Sequence, residues 1–173
     1  PAPRVAAPLT GEPMVFIMRR VLEETGSLEE ASELIQSAQR TVGVNYLIAD
    51  ASTRRAVAIE TTHRDIHVFE ADDPTEHEVA YARPMANAVF RADTAMDQTI
   101  RERQLASKGD PGRPGLEPPG GSAYEVRYLR QAAGLEAYTG RLDPLAAQAI
   151  AKSIAPDSNI QSVIFAWPTV WVA

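Results

Sequence analysis

The order of residue patterns predicts an α+β fold, with helix layers on a mostly antiparallel sheet. Three observations carry that expectation. A helical hairpin pattern opens the chain, with a stop at Gly26 and the capping pair Ser27 and Glu30 three residues apart. Two short apolar runs follow, Gly43–Asp50 and Ala56–Glu60, joined by the polar turn Ser52-Thr53-Arg54-Arg55. The whole chain then reads as helices, strands, helices, strands, and segregated runs of this kind favour an antiparallel sheet over a doubly wound parallel one.

Each element has a local reason. Residues 1–12 are rich in Pro and Ala and read as an extended lead-in. Pro13 suits the first turn of a helix, where its missing N–H costs nothing. Met14–Glu24 reads as that helix, with Phe16, Ile17, Val21 and Leu22 expected in the core. The second helix places Leu28, Ala31, Leu34, Ile35 and Ala38 at helical spacing. Strands are expected at about 44–50, 55–60 and 66–69, with two more at 79–82 and 88–92. Asp72–Glu78, around Pro74, reads as a solvated acidic loop. Asp93 or Thr94 is placed to cap a helix reaching about Ser107, and Lys108–Gly121, with four Pro and five Gly, must be a loop. Ser122 and Glu125 form another capping pair, for a helix through about Tyr138. Asp143-Pro144 starts a further helix to about Ala155. Two strands, 159–167 and 169–172, close the chain around Pro168.

Length and composition narrow the function. The 173 residues suit a single domain, 1–173, with 45% hydrophobic residues for a core. The net charge of −6 and the lack of a basic stripe argue against nucleic acid as a partner. No apolar run approaches the ~20 residues of a membrane helix, so no membrane is expected among the partners. The chain has no cysteine, which excludes disulfides and thiolate-held metals. His63 and His67 are four apart, but in a strand that separates them by roughly 13 Å. With His77 they read as surface histidines, and neither metal nor cofactor is expected. No glycine-rich phosphate turn and no Gly-x-Ser-x-Gly nucleophile motif is present. Arg127, Asp93 and Asn45 stand out weakly, against the ordinary readings of a surface ion-pair residue, a helix cap and a strand-start amide.

Taken in order, Leu28-Glu29-Glu30-Ala31, Gly43-Val44-Asn45-Tyr46-Leu47-Ile48-Ala49-Asp50 and Ala58-Ile59-Glu60 resemble the acyl-CoA:6-aminopenicillanic acid acyltransferase family. Asn159–Phe165 and Trp171-Val172-Ala173 resemble its later sheet strands. The resemblance implies an N-terminal nucleophile fold, an αββα sandwich of two facing, mostly antiparallel sheets between helix layers. It implies hydrolysis or acyl transfer at a linear, non-peptide amide C–N bond, and so a small-molecule amide or acyl substrate. In such enzymes an N-terminal cysteine attacks the carbonyl, its own α-amino group takes the proton, and hydrogen-bond donors stabilise the oxyanion. No cofactor is implied.

Two positions carry over. Asp93, in Phe90-Arg91-Ala92-Asp93, stands where the family has its oxyanion asparagine. This is a departure, because an ionised aspartate only accepts hydrogen bonds. Arg127, after Gly120-Gly121-Ser122, matches the family's arginine at the start of a helix, which orients the nucleophile's surroundings. The ordinary reading of Arg127, paired with Glu125 or Asp110, stands beside that one. The nucleophile has no counterpart here and would precede Pro1. The start at Pro1 and the end in the apolar run Val170–Ala173 suggest the central and C-terminal part of a larger domain, its missing N-terminal piece being a partner. The rival expectation is a catalytically inactive scaffold or interaction domain of the same fold, and a third is an unrelated α+β binding module.

Overall fold

Two helices pack as a hairpin on one face of a three-stranded antiparallel sheet. The computed structural model describes residues 10–92, 94–107, 123–155, 163–166 and 169–172. Helix α1 (Met14–Glu24) follows Pro13, and α2 (Leu28–Ser37) starts at Ser27, whose side chain accepts from the Glu30 N–H. The return arm of that cap runs from the Gly26 N–H to Glu30 Oε2 at 2.7 Å, one residue earlier than a capping box usually has it. Ile17 and Val21 of α1 and Leu28, Ala31 and Ile35 of α2 are buried. Phe16 and Leu22 are not: they are 56% and 80% exposed, so the core stripe of α1 is narrower than its run of apolar residues suggested.

The sheet runs β1 (Asn45–Asp50), β2 (Arg55–Thr61), β3 (Ile66–Phe69), with β2 in the middle. Alternation sends Tyr46, Val57 and Ile59 to the helix side, where they join the α1–α2 cluster with Val68 beside them. Ala58 and Phe69 face the other way into a second cluster with Val79, Phe90, Met96 and Tyr128. Because β2 is covered on both faces, every residue from Val57 to Thr61 is buried.

Arg40 fixes the end of α2 to the β2–β3 turn. It is 4% exposed, and its guanidinium donates to the carbonyls of Ile35 at 2.7 Å and Thr62 at 3.0 Å. A cation at a helix C-terminus meets unpaired carbonyls there, although burial pushes its pKa down.

The remaining chain departs from expectation in one region. Residues 79–82 and 88–92 form no strands; turns and an isolated Met85–Ala88 bridge stand there instead. Val79, Tyr81, Ala82 and Phe90 are buried, so apolar spacing correctly marked inward-facing residues that pack without a ladder. The acidic stretch is a short 3-10 helix, Pro74–Glu78, and Glu76 in it is buried rather than solvated. Helices α3 (Gln98–Ser107), α4 (Ala123–Ala137) and α5 (Pro144–Ile154) follow, the last capped by Asp143. The antiparallel pair β4 (Val163–Ala166) and β5 (Thr169–Val172) forms a second sheet. The expected loop at 108–121 and the Ser122 cap lie outside the described residues.

Candidate active-site scaffold

The strand register places Asn45, Glu60 and His67 directly opposite one another, one on each strand. All three lie on the face turned away from α1 and α2. Together they hold Arg91, Ala92, Met96 and Asp97. Asn45 Nδ2 donates to the Ala92 carbonyl at 2.9 Å. Glu60 accepts the Met96 N–H on Oε1 at 2.8 Å and the Asp97 N–H on Oε2 at 2.9 Å. His67 Nδ1 meets Asp97 Oδ2 at 2.9 Å, and its ring stacks on Phe69. A three-residue polar row across the sheet thus grips both flanks of position 93.

Charge is concentrated under this row. Arg91 Nε donates to Glu60 Oε1 at 2.7 Å, and Arg91 Nη2 pairs with Glu76. The side chains of Arg91, Glu60 and Glu76 are 3%, 0% and 5% exposed. One guanidinium therefore serves two carboxylates out of water. Burial raises the Glu76 pKa, Arg91 opposes that, and the nearby Glu60 adds to it. The Arg91 plane also lies over the Phe69 ring, 4.5 Å from its centre, a cation–π contact that offsets part of the lost hydration. Glu60 is further compensated by two main-chain N–H groups, the arrangement a buried carboxylate needs.

The α3 cap differs from expectation. Asp97 Oδ1 accepts from the Ile100 N–H at 2.8 Å, so Asp97 rather than Asp93 or Thr94 caps this helix. Asp97 consequently has two duties, capping α3 with one oxygen and meeting His67 with the other.

Asp93 itself lies outside the described residues; its neighbours Arg91 and Ala92 are among the held residues. Arg127 is on α4, whose next residue, Tyr128, is buried and stacks on Phe90 at 4.9 Å. The Tyr128 hydroxyl accepts the Arg83 N–H at 3.0 Å. The helix that carries Arg127 therefore meets Phe90 through Tyr128, a contact worth about 0.5–1.5 kcal/mol beyond burial. Sequence reading missed Glu60, Glu76, Arg91 and His67 as members of this cluster. The signal for Glu60 was a charged residue ending the apolar run Ala56-Val57-Ala58-Ile59. Arg91 gave no comparable signal.

Among the described residues, no group of three or more metal-ligating side chains forms a metal site. Among them, too, no helix is long and apolar enough to cross a membrane.

The fold class is α+β, with a three-stranded antiparallel sheet carrying the candidate site. Residues 4–81 match the model of the acyl-coenzyme A:6-aminopenicillanic acid acyl-transferase family, which covers α1, α2 and the whole three-stranded sheet. Over that stretch the resemblance seen in the sequence is borne out: these residues are similar to that family's model. No match was found among curated proteins or among solved structures.

Proposed function

We propose that residues 1–173 form part of an amidase or acyltransferase that acts on a linear, non-peptide amide C–N bond of a small molecule. The family match over residues 4–81 carries this reading. The held residues Ala92, Met96 and Asp97, sequence neighbours of position 93, support it, because an oxyanion site needs surroundings that do not shift as charge develops.

The chain has no cysteine, so a thiol nucleophile would come from polypeptide outside 1–173. In the proposed reaction its sulfur attacks the amide carbon and its α-amino group takes the thiol proton. The tetrahedral oxyanion collapses, the C–N bond breaks, and that proton leaves with the amine. Water or an acceptor amine then takes the acyl group from sulfur. Arg127 would orient the nucleophile's surroundings through hydrogen bonds and positive charge, and Asp93 would face the oxyanion as its protonated acid, the form that can donate a hydrogen bond.

In the complete protein we expect turnover of a simple N-acyl amide, abolished by a thiol-blocking reagent. Residues 1–173 alone should show none, and turnover by them that survives the blocker would overturn the reading. Arg127→Ala in the complete protein should lower kcat/KM by about tenfold or more. The exposed Glu23→Gln supplies the comparison, and equal effects would remove Arg127 from the site.

A second reading, a catalytically inactive scaffold of the same fold, is favoured by one observation. Aspartate stands at 93 where the resemblance calls for an amide donor. A folded complete protein with no turnover on any N-acyl amide would select it.

A further inference from the structure

We propose that Glu60 is a positioning residue of this site, its carboxylate fixing Arg91 and the main chain of Met96 and Asp97. The catalytic consequence rests on the acyl-transfer reading above; the positioning itself does not.

Both oxygens of Glu60 are committed. Oε1 takes Arg91 Nε and the Met96 N–H, and Oε2 takes the Asp97 N–H. Met96 and Asp97 precede the first turn of α3, where main-chain N–H groups have no carbonyl of the helix to bond. Met96 is 2% exposed, so water is a poor substitute. A single buried side chain on the central strand therefore supplies the acceptors that fix where the segment leaves the sheet. Asn45 and His67 stand on either side of it and hold Ala92 and Asp97. An acceptor-only group with two oxygens is what this geometry requires. Glutamine keeps the shape but turns one oxygen into an N–H₂ donor facing another donor.

The contacts of Glu60 bracket position 93 in the sequence. Arg91 is held before it, and Met96 and Asp97 after it. Glu60 is placed to act through this backbone, so it is a positioning residue and not a catalytic one.

The test uses the complete protein, wild type and Glu60→Gln, with residue-resolved amide hydrogen exchange and steady-state kinetics. In the wild type, the Met96 and Asp97 N–H groups should exchange far more slowly than a free chain. In Glu60→Gln they should exchange about tenfold faster or more, while Ile48 and Val57 in the sheet stay as they were. The same variant should lose about tenfold or more in kcat with KM changed by less than about twofold, the pattern of a misplaced site and not of weakened binding. Unprotected Met96 and Asp97 in the wild type, or unchanged exchange in the variant, overturns the positioning. A variant that exchanges faster but keeps full kcat overturns the catalytic consequence. Should Glu60→Gln fail to fold, the wild-type exchange rates decide alone. If the wild type turns over no amide yet its Met96 and Asp97 are released by Glu60→Gln, the acyl-transfer reading falls and the positioning stands.

Discussion

Asn45 Nδ2 donates to the carbonyl oxygen of Ala92 at 2.9 Å, tying the first residue of β1 to a segment 47 residues further along the chain. Glu60 and His67 extend the tie across β2 and β3. A sheet that looks ordinary in its own right becomes the bed for a loop that has no strand of its own. The physical reason is the register: three residues opposite one another on antiparallel strands share a face and lie about 5 Å apart.

Asn45→Ala and Asn45→Asp should therefore differ. Alanine deletes one hydrogen bond, at a cost of about 1 kcal/mol. Aspartate presents an oxygen to the Ala92 carbonyl and should cost about 1–3 kcal/mol. Urea unfolding of the two variants checks the order, and an aspartate variant as stable as the alanine one would contradict the observed donor.

Arg91→Met should be among the most damaging single changes. It leaves Glu60 and Glu76 buried without their cation, and removing one partner of a buried pair costs about 3–5 kcal/mol. Denaturant midpoints at neutral pH measure it. The double change Arg91→Met with Glu76→Gln should recover part of the loss, since it removes one of the stranded charges.

Glu76 should make stability depend on pH. Burial raises its pKa in the folded protein. The folded state then holds that proton to a higher pH than the unfolded chain does. Its contribution is fully present below the unfolded-state value of about 4.3 and is lost as pH rises through the folded one. Glu76→Gln should flatten this part of the stability profile. Unfolding free energies measured from about pH 4 upward, wild type against variant, show whether the slope belongs to Glu76.

Gly43→Ala should destabilise the sheet although Gly43 is exposed. A Cβ there would lie 2.3 Å from the Thr61 carbonyl oxygen and 2.7 Å from the Thr62 Cα, both main-chain atoms that cannot swing aside. The expected loss is about 1–3 kcal/mol, read from thermal or urea unfolding. A neutral result would mean that the ends of β1 and β2 can separate freely.

The accuracy of sequence reading followed the range of the forces involved. The α1–α2 turn was legible because Gly26, Ser27 and Glu30 act on one another within a few residues. The same holds for Asp143-Pro144, whose aspartate caps α5 as its spacing requires. The hairpin of β1 and β2 was legible from its alternation and its polar turn. Phe16 and Leu22 were misjudged because they adjoin the buried Ile17 and Val21, and periodicity alone does not fix the edge of a stripe. The two strands expected near 79–92 failed for a related reason. Alternating burial marks which side chains turn inward, and Val79, Tyr81 and Phe90 do so without belonging to a strand.

The sequence by itself determined the α1–α2 turn, the cap of α5, the β1–β2 hairpin, the α+β class and the family resemblance, all of which rest on short-range patterns and their order. Only the tertiary structure decided that Asn45, Glu60 and His67 form one row, and that Arg91 and Glu76 lie buried beneath it. A solvated glutamate and a buried one look alike in a sequence. What separates them is whether distant N–H groups and a guanidinium arrive to replace the lost water, as Met96, Asp97 and Arg91 do for Glu60.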